Sequence, residues 1–200
     1  MSSDIFICNL ALGHLGKKRI NALDEALSEA RECAQYYDHV RRVMLQSSNW
    51  TFARKRLALA QTTADFETRW PYTYTRPSDA LAIRRILPPE ADRQYGSKKI
   101  PFEVREGKVY TILSPAYAEY TFDLTDVTRY SPMFIDAMAY RLASFVAGPL
   151  TRSDKLQDRM EKKAEIAQSM AVSADAAQDN PTYFYDDNAV YNEDYSEARY

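Results

Sequence analysis

Apolar positions recur at helical spacing at both ends of this chain and at alternating spacing in its middle. Near the start, Ile5, Cys8, Leu12 and Leu15 step by three and four, which predicts a first helix. Ser2 or Ser3 stands where its N-cap is needed, and Gly16 stands where it can stop. The segment Ile20 to Leu23 then reads as extended, laying two apolar side chains on the body. Ala26, Ala30, Cys33, Tyr37, Val40 and Met44 step by four, three, four, three and four, which predicts a longer helix with one apolar seam. Asp24 or Ser28 is its candidate cap, and Glu29, Glu32, Arg41 and Arg42 fall mostly off the seam. Ser47-Ser48-Asn49 ends that helix, after which Trp50 and Phe52 alternate with polar neighbours. Both aromatics are expected to anchor the crossing from helix to sheet.

From residue 53 to 130 the period shortens to two. Leu57 and Leu59 mark one strand, Tyr72 and Tyr74 a second, and Ala82 to Leu87 a third, stopped by Pro88-Pro89. Phe102-Glu103-Val104 and Val109-Tyr110-Thr111-Ile112 flank Arg105-Glu106-Gly107-Lys108, predicting a hairpin with Gly107 in the left-handed position. Tyr117, Glu119 and Thr121 alternate with Ala118, Tyr120 and Phe122 in a last strand, and the polar stretch from Pro88 to Lys99 reads as a loop.

Helical spacing resumes at Ser131-Pro132, a cap followed by proline at the first helical position. Between Met133 and Ala147 only Asp136, Arg141 and Ser144 are polar, so this helix belongs at the centre of a bundle or at a subunit interface. Gly148-Pro149 is expected to interrupt it. Ser153 or Asp154 can cap a further helix to about Gln178, with Leu156, Met160, Ala164, Ala167, Ala171 and Ala174 as its inner stripe. After Asn180-Pro181 neither period persists. The fold class that follows is α+β: a discontinuous α-helical bundle body (residues 1–52 and 131–180), an inserted antiparallel β subdomain (53–130) and an extended C-terminal tail (181–200).

Composition narrows the function. With five glycines in 200 residues the chain has no glycine-rich phosphate cradle, and it contains no Gly-x-Ser-x-Gly, His-Glu-x-x-His, Walker loop or Cys-x-x-Cys. Cys8 and His14 share a six-residue spacing with Cys33 and His39, but six residues turn a helix by about 600°, so each pair points to different faces. Two buried thiols are the better account than a metal site or a disulfide. Neither a metal nor another cofactor is expected, and no carboxylate spacing suggests catalysis. The start Met1-Ser2-Ser3-Asp4 has no basic, apolar leader, so the chain is expected to be cytosolic when made. The run from Ala137 to Leu150 is shorter than the roughly 20 apolar residues a membrane span needs, so no membrane partner is expected.

The net charge of −2 hides a polarity. Residues 1–130 hold 19 Lys+Arg against 16 Asp+Glu, whereas residues 131–200 hold 7 against 12. A balance of +3 facing −5 suits stacking of copies or a charged partner but not a dedicated nucleic-acid binder. Lys17, Lys18 and Arg19, the pair Arg41-Arg42, and Arg54, Lys55 and Arg56 are candidate contacts for phosphates or an acidic partner; the plainer reading is a solvated face. Tyrosine is enriched to 15 copies, five of them in the last 18 residues. Tyr183, Phe184, Tyr185, Tyr191, Tyr195 and Tyr200 lie among acids, an aromatic content unusual for a tail that only solubilises, so they suggest a segment that orders on a partner.

Taken in order, several motifs resemble one family. Asn9-Leu10-Ala11-Leu12 with Leu15-Gly16, the extended Ile20 to Leu23, and a long helix closing on Trp50-Thr51-Phe52-Ala53 resemble the N-terminal half of the tail tubular protein A family, the head-to-tail adaptors of short-tailed bacteriophages. Tyr74 to Asp79 is similar to that family's tyrosine-proline-aspartate lead into a strand, although Thr75-Arg76 stands where the family has an apolar residue. Ser131-Pro132-Met133-Phe134, the alanine-rich helix and Leu150-Thr151-x-Ser153 are similar to its C-terminal half. The resemblance covers about residues 5 to 178. It implies a structural virion protein rather than an enzyme: a homododecameric ring beneath the portal protein, assembled in the host cytoplasm. Such a ring continues the channel for genomic DNA without sequence-specific binding and carries the tail nozzle protein and, in many members, tail fibres. The tail lies outside the resemblance, and its expected partner is the portal. The alternatives are a tail-associated glycan hydrolase and a cytosolic helical protein-binding module.

Overall fold

The computed structural model describes residues 3–63, 69–89 and 99–178. Four helices, α1 (Asp4–His14), α2 (Ser28–Ser47), α3 (Pro132–Thr151) and α4 (Asp154–Gln178), bracket seven strands: β1 (Arg54–Ala58), β2 (Gln61–Thr62), β3 (Tyr72–Thr75), β4 (Ala80–Leu87), β5 (Phe102–Arg105), β6 (Lys108–Thr111) and β7 (Tyr117–Phe122). The fold is α+β with antiparallel sheets.

α3 is the hub of the helical body. Its buried residues include Phe134, Met138, Leu142 and Val146, and α1, α2 and α4 all pack on it, while α1 and α2 touch little of one another. Ser131 caps α3 by accepting a hydrogen bond from the Phe134 amide at 3.2 Å. Gly148-Pro149 does not interrupt the helix, which runs on to Thr151 and ends where Arg152 turns left-handed at φ 52°. Pro149 falls in the last turn, where only one intrahelical bond is forfeited. Gly148 instead faces a neighbour: a Cβ there would lie 3.0 Å from Gln157 Oε1 of α4, a tight contact with the end of a flexible side chain.

Three other expectations change. Ser3 caps α1, but the buried stripe of that helix is Ile7, Cys8, Ala11 and Leu12, with Ile5 only half-buried. α2 starts at Ser28 behind Leu27, without a side-chain cap from Asp24 or Ser28, and Ala26 lies exposed before it; Ala30 to Met44 form the seam. Ser28 Oγ instead donates to Glu29 Oε2 at 2.8 Å. In α4 the buried residues are Met160, Ala164, Ala171 and Asp175, so an acid continues the stripe where Ala174 was expected.

The strands form two sheets, β1-β7-β4 and β2-β3-β6-β5. These sheets connect at both sides. β1 and β2 are nearly continuous, with the Leu59 amide bonded to Ala116 O and the Thr75 amide to Ala60 O, so the chain leaves one sheet and joins the other within two residues. Across the way, Ile86 of β4 bridges Ile100 just before β5. The two sheets are thus joined by chain continuity from β1 to β2 and by a single bridge between β4 and the start of β5, with β1, β4, β2 and β5 as their outer strands. β7 is central in its sheet, and both its faces are buried from Ala118 to Phe122. Leu57, on the outer strand of that sheet, is exposed, and only Leu59 of the expected pair packs on the core. Glu106 and Gly107, with φ of 51° and 71°, make the tight β5–β6 turn, where glycine meets no strain. A single apolar cluster runs from Leu12 and Trp50 through Phe134 to Tyr74 and Ala118, so helices and sheets share one core.

Candidate interaction surfaces

Helix-to-sheet geometry is set by a short turn. Trp50 is fully buried and donates its Nε1–H to Met44 O at 2.8 Å, satisfying one of the open carbonyls of α2. Thr51–Ala53 then forms a 3₁₀ turn that delivers the chain into β1. Phe134 sits edge-on to Trp50, Phe52 and Tyr130 at 4.9, 5.1 and 4.9 Å, so α3 grips this turn from the other end of the sequence. Trp50 and Phe52 are thus core residues of the junction.

The basic runs do not merge into one charged patch. Arg54 reaches Asn49 O at 3.2 Å and lies 3.9 Å from Glu119. Lys55 pairs with Asp79 at 2.7 Å and covers the Phe122 ring at 4.0 Å. Arg56 donates to Pro88 O at 3.0 Å and lies over Tyr117. The alternation of β1 sends Lys55 to the face opposite Arg54 and Arg56, and each of the three has a partner within the chain. Lys17, half-buried, and Lys18 and Arg19, exposed, occupy the loop after α1, where Lys17 and Lys18 help hold the Glu29 carboxylate below its usual range, after its own backbone and Ser28 hydrogen bonds.

Several polar joints tie the body to the sheets, one of them through Arg41 of the candidate pair Arg41-Arg42. Arg41 is 5 % exposed and pairs with Asp123, just past β7, while also donating to Leu124 O at 3.2 Å. Burial disfavours its charge, but Asp123 more than offsets this and raises its pKa. Asp175 of α4 accepts from the Thr51 amide at 2.8 Å and from Thr51 Oγ1 at 2.7 Å. Arg84 of β4 donates to Gln46 O and Ser48 O at the end of α2. Glu119, also buried, takes a forked pair from Arg85 at 2.8 and 3.0 Å. One signal was available for Asp175, since it lies four residues after Ala171 on the buried face of α4.

The cysteines and histidines do not converge. Cys8 and Cys33 are buried free thiols whose side chains hydrogen-bond across α1 and α2; that bond, with burial, raises the Cys8 pKa. His14 stacks on Tyr140 at 4.0 Å, and His39 meets the edge of Phe145 at 5.7 Å. Among the described residues no three His, Cys, Asp or Glu side chains gather where they could hold a metal ion.

Among the described residues, two apolar surfaces on the helical body stand out beside single exposed side chains such as Phe6 and Leu27. One is a groove of about 400 Å³ between α3 and α4, lined by Met133, Tyr140, Ile166 and Met170 with Asp136 and Lys163 at its polar margin. Met133, Ile166 and Met170 are 39, 63 and 56 % exposed. The other is a ridge where Phe145 of α3 meets Tyr36 and His39 of α2, with Val43 exposed on the same helix. A further depression holds Asp4, Asp38, Asp126 and Arg41. Its carboxylates have partners: Asp4 with the Ile5 amide, Asp38 with Arg41, and Asp126 with Thr128. The Thr128 hydrogen bonds hold Asp126 below the ordinary range, opposite to the shift a general acid needs.

No helix among the described residues is long and apolar enough to cross a membrane. The expected portal-docking residues Tyr183, Phe184, Tyr185, Tyr191, Tyr195 and Tyr200 lie outside the described residues, as does most of the loop between Pro88 and Lys99. No protein-family model and no curated protein matches this sequence.

Proposed function

We propose that this chain is a structural virion protein, the subunit of a head-to-tail adaptor ring. In this reading it docks on the portal, continues the DNA channel and supplies the platform for the tail nozzle and for fibres. The observation that carries the reading is that the ordered motifs behind the family resemblance fall on the joints of the fold. Asn9 is one: its side chain accepts from the Ile20 amide at 2.8 Å and donates to Ile20 O at 2.9 Å, clamping the extended segment to α1. Trp50-Thr51-Phe52-Ala53 is the turn into the sheets, and Ser131-Pro132 starts the hub helix.

Surface chemistry supports the same reading. Neighbours in a ring meet through two different faces of each copy. The α3–α4 groove and the Phe145 ridge are two such faces, both apolar and on the same body. A net charge of +3 in residues 1–130 against −5 in residues 131–200 adds a polarity that favours ordered stacking. The basic residues Lys17, Lys18 and Arg19 are the remaining candidates for a DNA-facing or acidic-partner surface.

Sedimentation of the purified chain with and without the portal protein of the same genome tests the proposal. Migration of this chain with the portal ring supports it, and a chain that sediments alone at micromolar concentrations of both refutes it. Deleting residues 182–200 is expected to weaken that association, and undiminished association would remove the tail from the portal contact.

A further inference from the structure

We propose that the depression between the start of α1, the middle of α2 and the turn after β7 binds a small organic dication, an alkyl diamine. The site is complete within one chain, so the inference stands apart from the adaptor reading.

Three acids reach the depression from three elements. Asp4 is the first residue of α1, Asp38 belongs to α2, and Asp126 precedes the 3₁₀ turn Val127–Arg129. Asp38 and Asp126 are exposed and Asp4 is half-buried. The partners already described engage only Oδ1 of each carboxylate. Among the described residues no hydrogen bond reaches any of the three Oδ2 atoms, so each acid keeps an acceptor for a ligand. Arg41 is the cation that lines the depression, and it is already paired with Asp123, which does not line it. The lining charges therefore favour a cation.

An acidic rim by itself is ordinary surface, and the floor is what marks a ligand site. Tyr37 of α2 lines the depression and is 7 % exposed, and its hydroxyl has no hydrogen-bond partner among the described residues. Leaving a buried hydroxyl unpaired is unfavourable. Burial is the main cause that pushes its pKa up; Tyr130, Cys8 and Asp4 add to this and Arg41 opposes it. The hydroxyl thus stays protonated and lies within the fields of Asp4 and Arg41, two other lining residues. Its oxygen can accept from an ammonium whose charge is met by Asp4.

Shape selects the class of cation. At about 460 Å³ the depression is far larger than a divalent metal ion needs, with oxygens at about 2.0–2.6 Å. Nor do its carboxylates gather closely enough to hold such an ion. Leu23, Ala34 and Val127 supply apolar wall beside the separated acids. Methylenes suit that wall, with one ammonium at Tyr37 and Asp4 and the other at the exposed acids.

Calorimetric titration of 1,4-diaminobutane into the purified full-length chain at low ionic strength tests the site, with butylamine and magnesium chloride as comparison titrants. Saturable binding of one diamine per chain is expected, about tenfold tighter than the monoamine, as one further charge-assisted hydrogen bond provides. Tyr37→Phe keeps the ring and removes only the unpaired hydroxyl. It is expected to fold as the unaltered chain does, checked by circular dichroism, and to bind the diamine about tenfold more weakly. The double variant Asp4→Asn, Asp126→Asn keeps the Oδ1 acceptors and removes two charges; it is expected to lose the binding and decides the matter if Tyr37→Phe does not fold. Absence of saturable binding at millimolar diamine would overturn the proposal. So would magnesium binding as tightly at equal ionic strength, or either folded variant binding the diamine as tightly as the unaltered chain.

Discussion

Arg41 and Asp123 show how one buried charge ties the two halves of the fold together. Arg41 is nearly inaccessible and Asp123 only partly so, so the pair is shielded at one end and hydrated at the other. Asp123→Asn keeps the shape but leaves the buried guanidinium with the exposed Asp38, 3.4 Å away, as its remaining counter-charge. A loss of about 3 kcal/mol in urea-induced unfolding is expected, the lower end of the range for breaking a buried pair because Asp123 is not fully buried. Arg41 lies one position beyond the seam residue Val40, and spacing alone placed it on the wet side. The acid that draws it inward is 82 residues away, beyond the reach of any local pattern.

His14 offers a pH test at the same scale. Burial is the main cause lowering its pKa, with Lys163 acting the same way and Asp136 opposing both; its Nε2 has no hydrogen-bond partner among the described residues. The folded state therefore resists protonation more than the unfolded state. His14's share of stability is complete above the unfolded value of about 6.5 and is lost as pH falls through it toward the lower folded value. His14→Phe retains a ring against Tyr140 without a titrating nitrogen. Its urea midpoint should drop less between pH 7 and pH 5 than that of the unaltered chain, whereas parallel declines would deny His14 this role.

Among the elements, α4 is moored to the rest of the fold by polar contacts along its second half. Asp175 holds the Thr51 amide and hydroxyl, and Gln168 adds a bond to Ser47 at 3.0 Å. Asp175→Ala leaves two Thr51 donors without that acceptor and should cost about 1–3 kcal/mol. Amide exchange is expected to accelerate in the last three turns of α4 and at Thr51, with α3 unchanged; uniform acceleration would mean that Asp175 supports the whole core rather than this joint. α2 was legible because it buries one long stripe against the body, and α3 because it is apolar nearly all round, as a helix packed by three others must be. The end of α3 was not, because Gly148-Pro149 reads as a stop when the packing of Gln157 against Gly148 is unknown. The strands were legible one by one through alternation, and the Gly107 turn through its glycine. The joining of the two sheets rests on Leu59-Ala60 and on Ile86 meeting Ile100, and no local pattern carries that information.

For the whole molecule, the bracketing order of helices around strands was visible in the pattern, and so was the hub role of a helix with only three polar residues between Met133 and Ala147. The helical body and the inserted β subdomain share one continuous core, since Trp50, Phe134, Tyr74 and Ala118 belong to the same cluster. The candidate basic sites illustrate the limit of reading charge from composition. Arg54, Lys55 and Arg56 form a run in sequence, but a strand sends neighbours to opposite sides and each finds an internal partner. The surfaces best suited to other proteins are instead apolar and belong to the helical body, where Met133, Ile166, Met170 and Phe145 remain exposed.

The adaptor reading is tested most directly by electron microscopy of this purified chain mixed with the portal protein from the same genome. The account predicts a second tier of density beneath the portal, with subunits meeting through the α3–α4 groove and the Phe145 ridge. Bare portal rings, with both proteins folded and in excess of micromolar concentration, would contradict it.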